Sequence, residues 1–312
     1  MKDSIFLAES IKSKLAPEKR EDQKNISFTQ FSVYETCKYR WYLTYAKGNY
    51  LFNASIHTVF GTAIHEAIQT YLKIAFLESV QEANDFDILE LFERRFKEEY
   101  KKEKEANNGM HFSTKEEMSE FYGDGVEILK DFKKKNTSFF SKSDYELLGV
   151  EIPLSVPIRD DSDSFLFQGY IDLVLKHRYD DTIVIEDFKT SSRGWTKKEK
   201  GDETKQSKLL LYKKYFGKQF GVDPERIVPR FRILKRKLWE EADFPQSRIQ
   251  AHEPANGKIK MNAAAQRLSV FINECFEPNG KPKDKIHPKQ PSPQNCKYCP
   301  FKDLPEFCDK KL

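Results

Sequence analysis

Apolar positions in the first 140 residues recur at intervals of three and four, the spacing that lines one face of a helix. Phe31, Tyr34, Trp41, Tyr42 and Tyr45 predict an aromatic-faced helix that opens near Phe28, with Ser32 at its cap. Ala63, Ala67, Ile68, Tyr71, Leu72 and Ala75 predict a second helix over 62–77. Two charged amphipathic stretches, 85–108 and 113–135, follow on either side of Asn107-Asn108-Gly109. Residues 1–27 carry no such period and read as a mobile or loosely packed polar arm.

The pattern changes after Asp144. Segments 145–156, 165–175 and 182–188 are short, rich in Val, Ile, Leu and Phe, and separated by turn signals at Asp160-Asp161 and Tyr179-Asp180-Asp181, which predicts three consecutive strands. A lysine-rich loop over 191–200, a helix over 203–220, a strand over 228–238 and a helix over 261–276 come next. A Pro- and Lys-rich stretch, 278–294, leads to a cysteine-bearing tail. There is no internal repeat.

With 312 residues, 38% hydrophobic and 33% charged, the chain is long enough to bury a core without disulfides. No apolar run reaches the roughly 18–20 residues of a membrane span, and the first residues carry no signal-type apolar region, so the chain reads as cytoplasmic with no membrane role. A net charge of +4, from 53 Lys and Arg against 49 Asp and Glu, leaves any affinity for nucleic acid to local clustering.

The chemistry concentrates in Gln168-Gly169-Tyr170-Ile171-Asp172-Leu173-Val174 and Val184-Ile185-Glu186-Asp187-Phe188-Lys189-Thr190-Ser191. Each places an acid within or at the end of an apolar strand, where a charge is costly unless a cation or hydrogen bonds compensate it. Asp187 and Lys189 are two apart and share a strand face; Glu186 points the other way. If the neighbouring strand presents Asp172 to that face, two carboxylates and an ammonium meet. Such a site can hold a divalent ion, polarise a phosphate and orient a water. An isolated D-x-K is more often a strand-end ion pair.

The order G-x-x-D then D-x-K resembles the PD-(D/E)XK nucleases, in particular their RecB-like branch. The resemblance covers about residues 31–308. It implies an α/β, restriction-endonuclease-like αβββαβ core with a large N-terminal helical region and a C-terminal cysteine tail. It makes Asp172, Asp187 and Lys189 catalytic, with Asp172, Asp187 and the main-chain carbonyl of Phe188 as ligands of Mg²⁺ or Mn²⁺. Gly61-Thr62-Ala63-Ile64-His65-Glu66-Ala67 resembles the branch's helix that supplies a histidine ligand, here His65; a lone helix histidine is otherwise structural. Glu151, in Gly149-Val150-Glu151-Ile152-Pro153, would lie near the metal, or else faces solvent on an edge strand that Pro153 marks. The branch carries Gln and Tyr four apart after the lysine strand. Tyr212 matches, whereas Lys208 stands at the glutamine position and Gln206 is displaced by two.

Five cysteines in an apparently cytoplasmic chain point to metal ligation or free thiols. Cys296, Cys299 and Cys308 form C-x2-C-x8-C, which needs a fourth ligand. Cys37 supplies it by resemblance to the iron–sulfur subgroup of RecB-like nucleases, which includes the AddB nuclease domain and CRISPR-associated RecB-like exonucleases. Lys38 follows it where that subgroup usually has Pro. A 4Fe–4S cluster is the expected cofactor, structural Zn²⁺ the alternative, and Cys275 reads as an ordinary buried thiol.

Arg193, Trp195 and Arg232, with Lys208, Tyr212 and Gln206, are candidate DNA contacts, the bases for phosphates and the aromatic for stacking or simple packing. The expected division is an arm over 1–30 and a single nuclease domain over 31–312. Within that domain, 31–142 is helical with an insertion over 78–142, 143–240 is the catalytic core, and 241–312 carries the last helix and the cysteines. The resemblance implies a stand-alone phage or bacterial deoxyribonuclease. It would be an exonuclease or a single-strand or flap-processing enzyme, working on DNA with free ends in recombination, repair or replication. With no Walker A motif, any helicase or recombination partner is a separate chain. The competing expectations are a catalytically inactive DNA-binding or scaffold subunit that keeps the fold, and a zinc-dependent interaction module.

Overall fold

Strand-forming segments of the sequence appear as β1 Phe6–Leu7, β2 Lys24–Ser27, β3 Tyr145–Pro157, β4 Phe165–His177, β5 Ile183–Ser191, β6 Ile227–Lys235 and β7 Ile249–His252. The computed structural model describes residues 5–16, 19–51, 54–241 and 243–309; residues 1–4 and 17–18 of the expected arm lie outside the described residues. Two compact units are formed, one from residues up to Leu15, 54–152 and 170–257, the other from 16–53, 153–169 and 258–312. β3 and β4, 13 residues each, contribute to both.

In the first unit the strands lie in the order β1-β3-β4-β5-β6-β7. β4 and β5 are antiparallel, with Leu173 opposite Glu186, and β5 and β6 are parallel, with Asp187 opposite Phe231. A parallel pair needs a crossover, here the helix Glu203–Phe220, which Asp202 caps and Gly221 ends at φ +67°. Strands covered on both faces read as continuous apolar runs, as Ile183, Val184 and Ile185 do. Residues 6–7, expected in a loose arm, pair with Val150 and Gly149 of β3; two residues are too few for a period to show.

The helix Ile56–Leu77 begins at Ser55, whose side chain accepts from the His57 N–H. Its stripe of Ala63, Ile64, Ala67, Ile68, Tyr71 and Leu72 is completely buried. It packs in one core with the helices Ile88–Ala106 and Lys115–Phe139 and with Leu173 and Phe188 of the sheet. Phe92, fully buried between the helices, contributes about 1.5–3 kcal/mol by removal from water. It fits because Gly125 faces it: a Cβ there would sit 2.2 Å from the Phe92 ring.

In the second unit β2 runs parallel to the start of β4, from Lys24 opposite Phe165 to Ser27 opposite Gln168. This segment too was expected in the arm. The helix Phe28–Thr36 is capped by Ser27, which accepts from the Gln30 N–H at 3.2 Å. Ser32, the expected cap, lies inside that helix, and its hydroxyl donates to the Thr29 carbonyl. A cap must be non-helical, and only Ser27 is extended. The expected continuous helix breaks at Cys37, whose backbone is extended, before resuming as Lys38–Trp41 and a π-turn over Tyr42–Ala46. Trp41 is fully buried among Tyr34, Phe271, Phe276 and His287, the phenylalanines carried by the helix Lys258–Cys275 and the residue after it. No helix among the described residues is long and apolar enough to cross a membrane.

Candidate active site

Alternation along β5 buries Asp187 completely on one face and Glu186 on the other. β4 brings Asp172 alongside, where its Oδ2 accepts from the Phe188 N–H at 2.7 Å. The carboxylate thus fastens the two strands together where both acids emerge. Lys189 Nζ lies against Asp187 Oδ2, and Lys208 Nζ, from the crossover helix, donates to Asp187 Oδ1 at 2.5 Å. Lys189 Nζ also donates to the Phe188 carbonyl at 3.3 Å.

Helical spacing sets His65 and Gln69 one turn apart on the same face. His65 Nδ1 lies 3.6 Å from Asp172 Oδ2. Gln69 Nε2 donates to Glu151 Oε1 at 2.7 Å and to the Asp172 carbonyl at 3.3 Å. Glu151 is buried and has φ +52°, a left-handed conformation that costs a non-glycine residue about 1–3 kcal/mol. Such strain persists only where the surroundings hold it, and Gln69 does so here. His65, Gln69, Glu151, Asp172 and Lys208 line one cleft of about 540 Å³.

Burial alone would raise the Asp187 pKa, but the charges of Lys189 and Lys208 outweigh it and hold the carboxyl down at about 2. Burial lowers the Lys189 pKa, against the pull of Asp187. For Lys208 burial acts the same way but is overcome by Asp187, with help from Tyr212 and Asp172, so its pKa is raised well above the ordinary value. Burial also lowers His65, more than Asp172 raises it, which keeps the imidazole neutral near pH 7 and able to ligate. The site is therefore a doubly countered carboxylate beside a second carboxylate and a neutral imidazole.

The sequence profile of the PD-(D/E)XK nuclease superfamily matches residues 25–304. The chain belongs to that superfamily. The mixed α/β architecture, with its helical N-terminal region and mixed sheet, is consistent with the restriction-endonuclease-like fold expected from the sequence. Among curated proteins none matches. A solved structure, "Crystal structure of SSO0001", is 12% identical over 97% of this chain and 93% of that one, at a TM-score of 0.36.

PD-(D/E)XK nucleases typically use Mg²⁺ or Mn²⁺, and carboxylate, neutral imidazole and main-chain carbonyl are donor types that suit such ions. Among the described residues, no three His, Cys, Asp or Glu side chains are grouped so as to hold an ion. In this superfamily member the carboxylate oxygens instead face protein cations and amides.

The other sequence candidates are placed as follows. Tyr212 is buried, its ring 5.2 Å from Lys208 Nζ, and burial pushes its hydroxyl up to about 12. Gln206 donates to the Lys200 carbonyl. Trp195 is 9% exposed and packs on Phe231, while Arg193 lies 4.6 Å over the ring of Trp239. Arg232 is 2% exposed and forked onto Glu186 between Phe139 and Phe140. None of Gln206, Arg193, Trp195 and Arg232 lines the cleft. Sequence reasoning missed Gln69, signalled only by its four-residue distance from His65, and missed that Lys208 reaches Asp187.

Within the second unit, Cys37, Cys296, Cys299 and Cys308 line one cavity together with Arg40 and Phe301. Burial raises the Cys299 thiol, and Cys37 and Cys296 are near enough to raise it further. Cys275 lies apart, fully buried, with Sγ 3.9 Å from His287 Nε2.

Proposed function

We propose that the protein is a metal-dependent deoxyribonuclease, an exonuclease or single-strand or flap-processing enzyme acting on DNA with free ends. The observation that carries this reading is Asp187 buried between Lys189 and Lys208 behind a cleft that His65, Asp172 and Lys208 line. Asp172, Asp187, His65 and the Phe188 carbonyl would hold Mg²⁺ or Mn²⁺, with Glu151 adjoining; the ion supplies Lewis acidity and a water of lowered pKa. Lys189, beside Asp187, would orient the attacking water. Lys208, protonated throughout, stabilises charge on the phosphate as it develops, and Tyr212 supports its stem. Gln69 keeps Glu151 turned toward the site.

The four cysteines around one cavity support a structural 4Fe–4S cluster, or Zn²⁺ in its place, with Cys37, Cys296, Cys299 and Cys308 as ligands.

The test is degradation of 5′- and 3′-labelled single- and double-stranded DNA with Mg²⁺ or Mn²⁺ by anaerobically purified protein. Loss of about 10³-fold or more in Asp187→Ala and Lys189→Ala is expected. Activity unchanged in both variants overturns the reading. One observation favours a second reading, an inactive DNA-binding subunit. Lys208 replaces the glutamine of related nucleases, and both Asp187 oxygens face ammonium groups. It requires binding without cleavage under either ion.

A further inference from the structure

The helix Ile88–Ala106 buries Ile88, Leu91, Phe92, Phe96 and Tyr100 against its neighbours. Along the border of that face runs a second stripe, Arg95, Glu99 and Lys102, at spacings of four and three. All three line the same cleft as His65, Asp172 and Lys208. This helix belongs to the segment that the sequence offers only as an insertion, and nothing in the D-x-K chemistry requires it. Its placement gives the cleft a wall with two cations.

The two cations are held differently. Arg95 is fixed on the Ile56–Leu77 helix by Glu66, through Nε at 2.7 Å and Nη2 at 2.6 Å, while its Nη1 donates to Glu98 at 2.7 Å. Lys102 is 72% exposed and only loosely paired with Glu99, at 3.4 Å. An exposed pair of that kind is worth little and gives way at small cost to a better anion. Seven residues of helix separate the two by about 10 Å along the axis, so one phosphate cannot serve both. Glu66 and Glu99 in the wall keep it from being a general anion trap and leave the lysine as the movable contact.

We propose that this helix is a strand-binding wall, in which Lys102, with Arg95 as its fixed neighbour, holds backbone phosphates of the nucleic-acid strand whose scissile bond lies at Asp172 and Asp187. The contact reads phosphate and not sequence, and it positions the strand along the cleft. It rests on the reading of the cleft as a phosphodiester site.

Binding of a fluorescent single-stranded oligonucleotide by the full chain, measured across a salt series, tests the wall. Lys102→Gln weakens binding about three- to tenfold and flattens the slope of log K against log salt by about 0.7, the share of one phosphate on a single strand. Lys101→Gln, next door but paired with Glu105 and outside the cleft lining, leaves both unchanged. In cleavage assays the Lys102→Gln loss appears in KM with kcat retained. A slope equal to wild type in Lys102→Gln, or an equal loss in Lys101→Gln, overturns the wall. Cleavage together with binding insensitive to Lys102 overturns the wall and leaves the nuclease reading standing. Binding sensitive to Lys102 with no cleavage under any divalent ion does the reverse.

Discussion

Asp187 is the residue on which most depends. It is fully buried with an ammonium at each oxygen, so the charges of Lys189 and Lys208 are compensated only as long as it is present. Asp187→Asn leaves two lysines facing each other in a poorly solvated site and is expected to destabilise the fold by about 3 kcal/mol in denaturant titration. Its folded pKa lies below the unfolded value, so its stabilisation is present above about pH 4 and is lost only as pH falls toward 2. His65 acts earlier. Its pKa is lowered by burial from 6.5, so below that pH the unfolded chain binds more protons and stability falls with pH until the folded imidazole also titrates. Denaturation across about pH 5 to 8 should show this slope in the wild type and a shallower one in His65→Asn, the remainder coming from His57, His252 and His287, which burial also lowers. Asp187 and Lys189 were legible in the sequence because alternation fixes which face they share. The partnership of Asp187 with Lys208 was not, because it spans 21 residues and depends on where the crossover helix seats.

At the scale of elements, long periodic segments were readable and short ones were not. The helix Ile56–Leu77 has an apolar stripe that can only face a core, though its first six residues, before Thr62, were missed. β7, four residues long, and the helix Lys197–Lys200 carry too few positions to show a period. Glycines within the helix Lys115–Phe139 give a paired prediction. Gly123 has open space where a Cβ would go, so Gly123→Ala should stabilise by up to about 1 kcal/mol. Gly125→Ala drives a methyl into the Phe92 ring and should cost about 1–3 kcal/mol beyond that gain. Thermal melts of the two variants should move in opposite directions. Glu186, on the opposite face of the strand from Asp187, answers Arg232 in the core. Glu186→Ala strands a buried guanidinium and should cost about 3–5 kcal/mol, and an unchanged denaturation midpoint would refute that role.

At the scale of the whole molecule, spacing alone brought Cys296, Cys299 and Cys308 together, but only resemblance joined Cys37 to them. The break in the aromatic helix at Cys37 was invisible in the sequence because the aromatic period continues across it. If the four thiolates hold a 4Fe–4S cluster, anaerobic protein carries about four irons per chain and a visible absorbance band; colourless protein with one zinc marks the alternative. Chelation or Cys308→Ser should lower the melting temperature in either case.

The interleaving of the two units sets an order on synthesis. Residues 37 and 296 to 308 belong to one unit, while most of the other is made between them. At about 5–20 residues per second, the thiol of Cys37 waits roughly 13–50 s on the ribosome for Cys296. During that interval the aromatic surface around Trp41 lacks Phe271, Phe276 and His287, the residues that enclose it. The nascent chain therefore carries an uncovered aromatic patch until Phe271, Phe276 and His287 have been made, and a chain cut short before them should expose Trp41 and melt lower than the loss of a surface tail would suggest.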